Sequence, residues 1–118
     1  MTNDEYGIYI HVPFCVRKCG YCDFYSVPDL NAIPAYVPAV VREMALMKEA
    51  SLRVDSIYFG GGTPSLLEPV QVSQLVDAVY RRFDVAADTE ITLEVNPGTV
   101  SHEKLSGYRR AGVNRLNI

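Results

Sequence analysis

Four short apolar runs, separated by stretches of helical period, constrain this chain more than any other feature in it. Residues 6–12 (YGIYIHV) alternate, with Ile8, Ile10 and Val12 on one face and Tyr9 and His11 on the other, the pattern of a half-buried strand. Residues 54–59 (VDSIYF) and 89–96 (TEITLEVN) read as the second and third strands, and 113–118 (VNRLNI) begins a fourth. From about residue 34 to residue 50, Val37, Val40, Val41, Met44 and Met47 or Lys48 keep the spacing of one helix face. Pro38 is expected in the first turn of that helix, where its missing N–H costs little. Glu68-Pro69 opens a second helix with Pro69 at its first position and Val72, Leu75, Val76, Val79 and Phe83 as its buried stripe. Ser101 is a suitable N-cap for a short third helix through Ala111, and Gly112 fits the position just past its end. Residues 23–33 read as loop, with Pro28 and Asp29 as turn residues, and Pro97-Gly98 turns the chain.

Strands alternating with helices predict a parallel sheet in an α/β fold. Four parallel strands cannot close a barrel of the usual kind. Since the sequence stops inside a strand, the expectation is one domain's N-terminal portion, covering residues 1–118 of a longer protein. The apolar strand faces, Ile8/Ile10/Val12, Ile57/Phe59 and Ile91/Leu93/Val95, belong under the helices. The opposite faces carry Tyr9/His11, Ser56/Tyr58 and Thr92/Glu94/Asn96, which suits an interior that holds a polar ligand rather than branched apolar side chains. An antiparallel sheet with one wet face is the competing reading, and the intervening helices argue against it. In parallel α/β folds function gathers at the strand C-terminal ends. Three chemistry-bearing stretches fall there: a cysteine loop, a glycine run and Glu94-Val95-Asn96-Pro97.

The cysteine loop, Cys15-Val16-Arg17-Lys18-Cys19-Gly20-Tyr21-Cys22, holds all three cysteines, spaced C-x₃-C-x₂-C. Three thiolates with no fourth suggest an iron–sulfur site with one open iron position, since such clusters usually take four cysteines. A Cys₃His zinc site that recruits His11, or a disulfide with one free cysteine, are the other readings of the same residues. Gly60-Gly61-Gly62-Thr63-Pro64-Ser65 lacks the last glycine of a dinucleotide fingerprint and the Gly-Lys-Ser/Thr ending of a P-loop. It is either a tight turn or a place where backbone approaches a ligand closely. Glu94 is a hydrogen-bond acceptor for such a ligand or a solvated carboxylate; Tyr9 is a core tyrosine or a cofactor contact. Arg17, Lys18 and His102 read as solvated.

A net charge of −3 without a block of like charges disfavours nucleic-acid binding. The polar, acidic start is no signal peptide, and no apolar run approaches the ~18 residues of a membrane span. Free thiols point to the reducing cytoplasm.

Five stretches together resemble one family: Tyr9-Ile10-His11-Val12-Pro13-Phe14-Cys15, Cys19-Gly20-Tyr21-Cys22-Asp23-Phe24, Gly60 to Ser65, Glu94-Val95-Asn96-Pro97-Gly98-Thr99 and Ala111-Gly112-Val113-Asn114-Arg115-Leu116. It is the radical S-adenosylmethionine (SAM) family of oxygen-independent coproporphyrinogen III oxidase (HemN) and the heme chaperone HemW. The resemblance implies a TIM-like partial (β/α)₆ barrel with a 4Fe-4S cluster and SAM at its mouth. It implies cluster ligation by Cys15, Cys19 and Cys22, and SAM contacts from Tyr9, Gly61, Gly62, Thr63 and Glu94, with Tyr21 against the adenine. In such proteins an electron from the cluster cleaves the sulfonium of SAM to a 5′-deoxyadenosyl radical. Cys22-Asp23-Phe24 is similar to the HemW type, because the oxidase type carries an additional cysteine there. The resemblance therefore implies a heme chaperone that delivers heme to acceptor proteins. The alternative is an oxidase that decarboxylates a porphyrinogen.

Overall fold

The computed structural model describes residues 5–14, 32–47 and 52–118. The three cysteines, Arg17, Lys18, Tyr21 and nearly all of the loop expected over 23–33 lie outside these residues. Among the described residues, four strands form one sheet in the order β1-β2-β3-β4: β1 is Glu5–Val12, β2 Arg53–Gly61, β3 Asp84–Glu94 and β4 Arg115–Asn117. Every pairing is parallel, as the alternation of elements requires.

Among the described residues, three α-helices connect the strands: α1 (Ile33–Leu46), α2 (Pro69–Arg82) and α3 (His102–Arg110). The expected face of α2 is the buried one; on α1, Val37 and Met44 are buried and Val40 and Val41 partly so, while Met47 is exposed past the helix end. Val72, Leu75, Val76 and Val79 of α2, with Phe83 just after it, meet Ile57, Phe59, Ile91 and Leu93 of the sheet in one core. Side chains such as Leu75, Phe59 and Leu93, fully buried, each contribute roughly 1.5–3 kcal/mol relative to exposure. The α2 start forms as its sequence indicates, with Pro69 in the first turn and the Gln71 side chain accepting from the Glu68 N–H at 2.8 Å. Ser101 caps α3 by accepting from the Lys104 N–H at 3.1 Å. Gly112, just past α3, takes the left-handed conformation with φ +115°.

Several boundaries differ from expectation. Helix α1 begins at Ile33, which puts Pro38 inside it rather than in its first turn. Pro34 and Pro38 are both exposed, so the Pro34 carbonyl that Pro38 cannot bond is open to water, and the helix tolerates the loss. The same helix ends at Leu46 instead of residue 50, with Met47 extended. The guanidinium of Arg82, at the end of α2, donates to the carbonyls of Met44 at 2.9 Å and of Met47, and so satisfies the last turn from a neighbouring helix. Strand β3 starts five residues before the expected residue 89. Asp84 and Val85 pair with Arg53 and Val54; β3 then takes five steps where β2 takes two, and Glu90 resumes opposite Ser56. The Thr89 hydroxyl donates within this bulge, to the Ala86 carbonyl. The fourth strand is shorter than 113–118, and Asn114 attaches it to β3. Its side chain accepts from the Ile91 N–H at 2.8 Å and donates to the Thr89 carbonyl at 3.0 Å.

Candidate functional site

The sheet has one face under the helices and one without them, and the polar side chains lie on the second. Register fixes which of them meet. Tyr9 stands opposite Tyr58, Tyr58 opposite Thr92, and Thr92 opposite Arg115. One step toward the C-terminal ends, His11 pairs with Gly60 and Glu94 with Asn117. The expectation for this face is met for Tyr9, His11, Tyr58 and Glu94, which share it while Ile10, Val12, Phe59 and Leu93 are buried behind it; Thr92 lies on the same face but is buried, and Asn117 joins it from β4.

Glu94 sits at its centre, half-buried. Tyr58 donates its hydroxyl to Glu94 Oε2 at 2.8 Å, and the Gly61 N–H donates to Oε1 at 3.1 Å. Asn117 Nδ2 donates to the Tyr58 hydroxyl at 2.8 Å, which leaves the Tyr58 proton for Glu94. A carboxylate offers about four lone-pair sites. With one donor on each oxygen, Glu94 is oriented and keeps acceptor capacity for a further donor such as an ammonium group. The solvated-carboxylate reading of Glu94 does not describe this geometry.

Tyr9 is 59% exposed, which rules out the core reading of that side chain. Its ring stacks on Tyr58 with centroids 5.8 Å apart and planes 11° off parallel, and lies 6.2 Å from the His11 ring. Burial, then the Glu94 carboxylate, then Tyr58 push its phenol above the ordinary range, so it stays a neutral donor at physiological pH. A β-carbon at Gly60 would lie 2.6 Å from the Tyr9 hydroxyl, so glycine there is what admits the two rings.

In the glycine run, Gly61 has φ +114°, and its N–H is the one held by Glu94. The Gly62 N–H bonds the Val12 carbonyl at 2.8 Å and the Thr63 N–H bonds the Phe14 carbonyl at 2.7 Å. All three amide protons are thus used inside the protein. A ligand at this turn meets carbonyl oxygens, the Thr63 hydroxyl or bare backbone, not amide donors. The same two bonds join the turn after β2 to the end of β1, directly before the cysteine stretch.

Tyr58 and Asn117 were not singled out from sequence as site residues. Tyr58 was legible only as a member of the polar face; Asn117 needed the β3–β4 register, which the sequence does not state.

An open, acceptor-rich polar face with stacked aromatic rings lies at the C-terminal ends of a parallel α/β sheet, where folds of this class place their ligand sites. The chain belongs to the radical SAM superfamily, whose profile matches residues 9–118. It is 44% identical over 116 residues to the heme chaperone HemW of Escherichia coli, across 95% of this chain and 31% of that protein. It is 39% identical over 124 residues to the mitochondrial radical S-adenosyl methionine domain-containing protein 1 of Bos taurus, across 95% of this chain and 26% of that one. The coproporphyrinogen III oxidase (HemN) of Escherichia coli, a radical SAM enzyme, superposes with a TM-score of 0.81 at 30% identity, over 93% of this chain and 26% of that chain. The chain spans about a third or less of the length of these relatives. Membership of the superfamily brings SAM and a 4Fe-4S cluster in general.

The residues fit those groups. Three thiols without a fourth are the donor set of a cluster with one open iron position. Glu94 has acceptor capacity to spare beside a left-handed glycine, as the cationic amino group of a SAM molecule would require.

Proposed function

We propose that this chain is part of a HemW-type radical SAM protein whose task is to hold heme and pass it to acceptor proteins. Cys15, Cys19 and Cys22 would ligate the 4Fe-4S cluster. Glu94, with Thr63 and the carbonyls near Gly61 and Gly62, would take the amino end of SAM. Tyr9 would flank it, and Tyr21 would lie against the adenine. When bound, the cluster and SAM supply one-electron cleavage of the sulfonium. The chain's own residues bind and orient: Tyr58 and the Gly61 N–H fix the Glu94 oxygens, and Asn117 fixes Tyr58. The cytoplasm, where thiols remain reduced, is the compartment proposed for it.

The observation that carries the chaperone reading is the 44% identity to a heme chaperone over nearly the whole chain, joined to Cys22-Asp23-Phe24 in place of an additional cysteine. The structural likeness to HemN favours a second reading, oxidative decarboxylation of coproporphyrinogen III. One anaerobic experiment separates them. The intact protein, reconstituted with iron and sulfide, is given SAM, a reductant and either heme or coproporphyrinogen III. The chaperone reading expects bound heme that transfers to an apo-acceptor, and no decarboxylated product. Product at many turnovers rejects it in favour of the oxidase.

A further inference from the structure

Behind the polar face, the loops that follow β2 and β3 are tied together by a closed ring of hydrogen bonds. Ser65, fully buried, accepts the Asn96 N–H at 3.0 Å through Oγ. Its Oγ lies 2.5 Å from Thr99 Oγ1, and Thr99 Oγ1 donates to the Asn96 carbonyl at 2.7 Å. Since the Thr99 proton is committed to that carbonyl, Ser65 donates to Thr99, and the ring runs in one direction. Helix α3 closes over it. Lys104 Nζ donates to the carbonyls of Ser65 at 2.6 Å and Thr99 at 3.2 Å, and the Tyr108 hydroxyl is 3.0 Å from the Ser65 carbonyl.

The ring stands where sheet pairing no longer acts. The β2–β3 register ends at Phe59 opposite Leu93. Beyond it, the bond from the Gly61 N–H to Glu94 and this ring join the two chain ends. Asn96 lies two residues past Glu94, and Ser65 two residues past Thr63. We propose that Ser65 is a positioning residue for SAM: by locking one loop to the other it sets where the Gly61–Thr63 backbone stands relative to the Glu94 carboxylate. This rests on the SAM reading of Glu94 and the glycine turn. Ser65 itself touches no ligand and acts only through the placement of that turn against Glu94.

The test is calorimetric titration of SAM into the intact, reconstituted protein, at a temperature well below melting. Ser65→Ala should weaken SAM binding about tenfold, the order expected when a buried hydrogen-bonding group loses its partner. Thr99→Val breaks the same ring from the other loop, leaves every main-chain bond of Ser65 in place, and should give a similar loss; it carries the test if Ser65→Ala does not fold. A double-mutant cycle supplies the reading that a merely structural role would not move. Ser65→Ala combined with Glu94→Gln should bind SAM no more weakly than Glu94→Gln alone, because the two act through one contact. Unchanged affinity in both ring variants, or losses that multiply in the double variant, overturns the proposal. If Glu94→Gln binds SAM as tightly as the unaltered protein, the underlying reading of Glu94 falls and this proposal with it.

Discussion

Gly61 and Gly112 both have left-handed backbone, yet their surroundings differ, and so should the cost of replacing them. A β-carbon at Gly61 would lie 2.8 Å from the His11 ring and 2.8 Å from the Val12 carbonyl oxygen. At Gly112 the nearest atoms, on Ile91 and Val76, are at 3.6 Å, ordinary contact. Gly112→Ala should therefore cost only the conformational term, about 1 kcal/mol, while Gly61→Ala adds a steric term and should cost about 2–3 kcal/mol. Gly61→Ala should also weaken SAM binding, since it moves the N–H that orients Glu94. Urea unfolding of both variants checks the order; equal losses would mean that the turn after β2 yields freely. The sequence showed three consecutive glycines at a strand end but not which one needs the left-handed conformation, because that depends on how close β1 passes. For the same reason Glu94 was legible as a candidate while its two donors were not. The Tyr58 hydroxyl and the Gly61 N–H reach it from the neighbouring strand, 36 and 33 positions away, through the β2–β3 register, and Asn117 acts on it only through Tyr58.

At the scale of the element, periodicity and capping residues were enough for α2 and α3. Their signals are local: a Pro in the first turn, a serine cap, a glycine after the end, apolar residues at helical spacing. Helix α1 starts within one residue of expectation and differs in the place of Pro38 and at its C-terminal end, which depends on a distant group. At the end of the helix the extended Met47 donates its N–H to the Met44 carbonyl, and Arg82, on another helix, supplies the side-chain donors to the carbonyls of Met44 and Met47. Arg82→Ala should destabilise the protein by about 1–2 kcal/mol, within the range for hydrogen bonds to a charged donor at a half-buried site. Arg82→Lys should recover only part, since an ammonium cannot reproduce the planar fork that reaches two carbonyls. Arg81→Ala, at an exposed neighbour in the same turn, should be close to neutral and serves as the control. If all three variants melt alike, the capping role of Arg82 is wrong. The early start of β3 was illegible for a similar reason: Asp84-Val85-Ala86-Ala87-Asp88 does not alternate, and only pairing with Arg53 and Val54 makes its first residues strand.

Over the whole molecule, two tyrosine hydroxyls hold helices to the sheet layer, and their chemistry predicts an alkaline limit of stability. Tyr36 of α1 donates to the His11 carbonyl on edge strand β1, with its ring set edge-on to Phe14. Tyr108 of α3, almost fully buried, holds the turn after β2 through the carbonyls of Ser65 and Leu67. Burial raises both phenols well above their ordinary value. Glu43 and then Tyr9 add to the shift at Tyr36, and Glu68 adds to it at Tyr108. In the unfolded chain a phenol ionises near pH 10. Below about that pH both are protonated in either state, and their contribution to stability is fully present. Above it the unfolded chain releases its protons first, so stability falls as pH rises toward the folded-state values. The melting temperature should thus hold between neutrality and about pH 9.5, then drop as the phenols of the unfolded chain titrate. The double variant Tyr36→Phe/Tyr108→Phe should melt lower at neutral pH, having lost both donors, and should show a shallower alkaline drop. Parallel curves for the variant and the unaltered protein would show that other groups set the alkaline limit. The two tyrosines also flank the proposed site, one at the end of β1 before the cysteine stretch, the other beneath the Ser65 ring. Because both phenols stay protonated in the folded protein over this range, the loss acts through the unfolded chain, and the site and the sheet should give way together: near- and far-ultraviolet circular dichroism should report one alkaline transition.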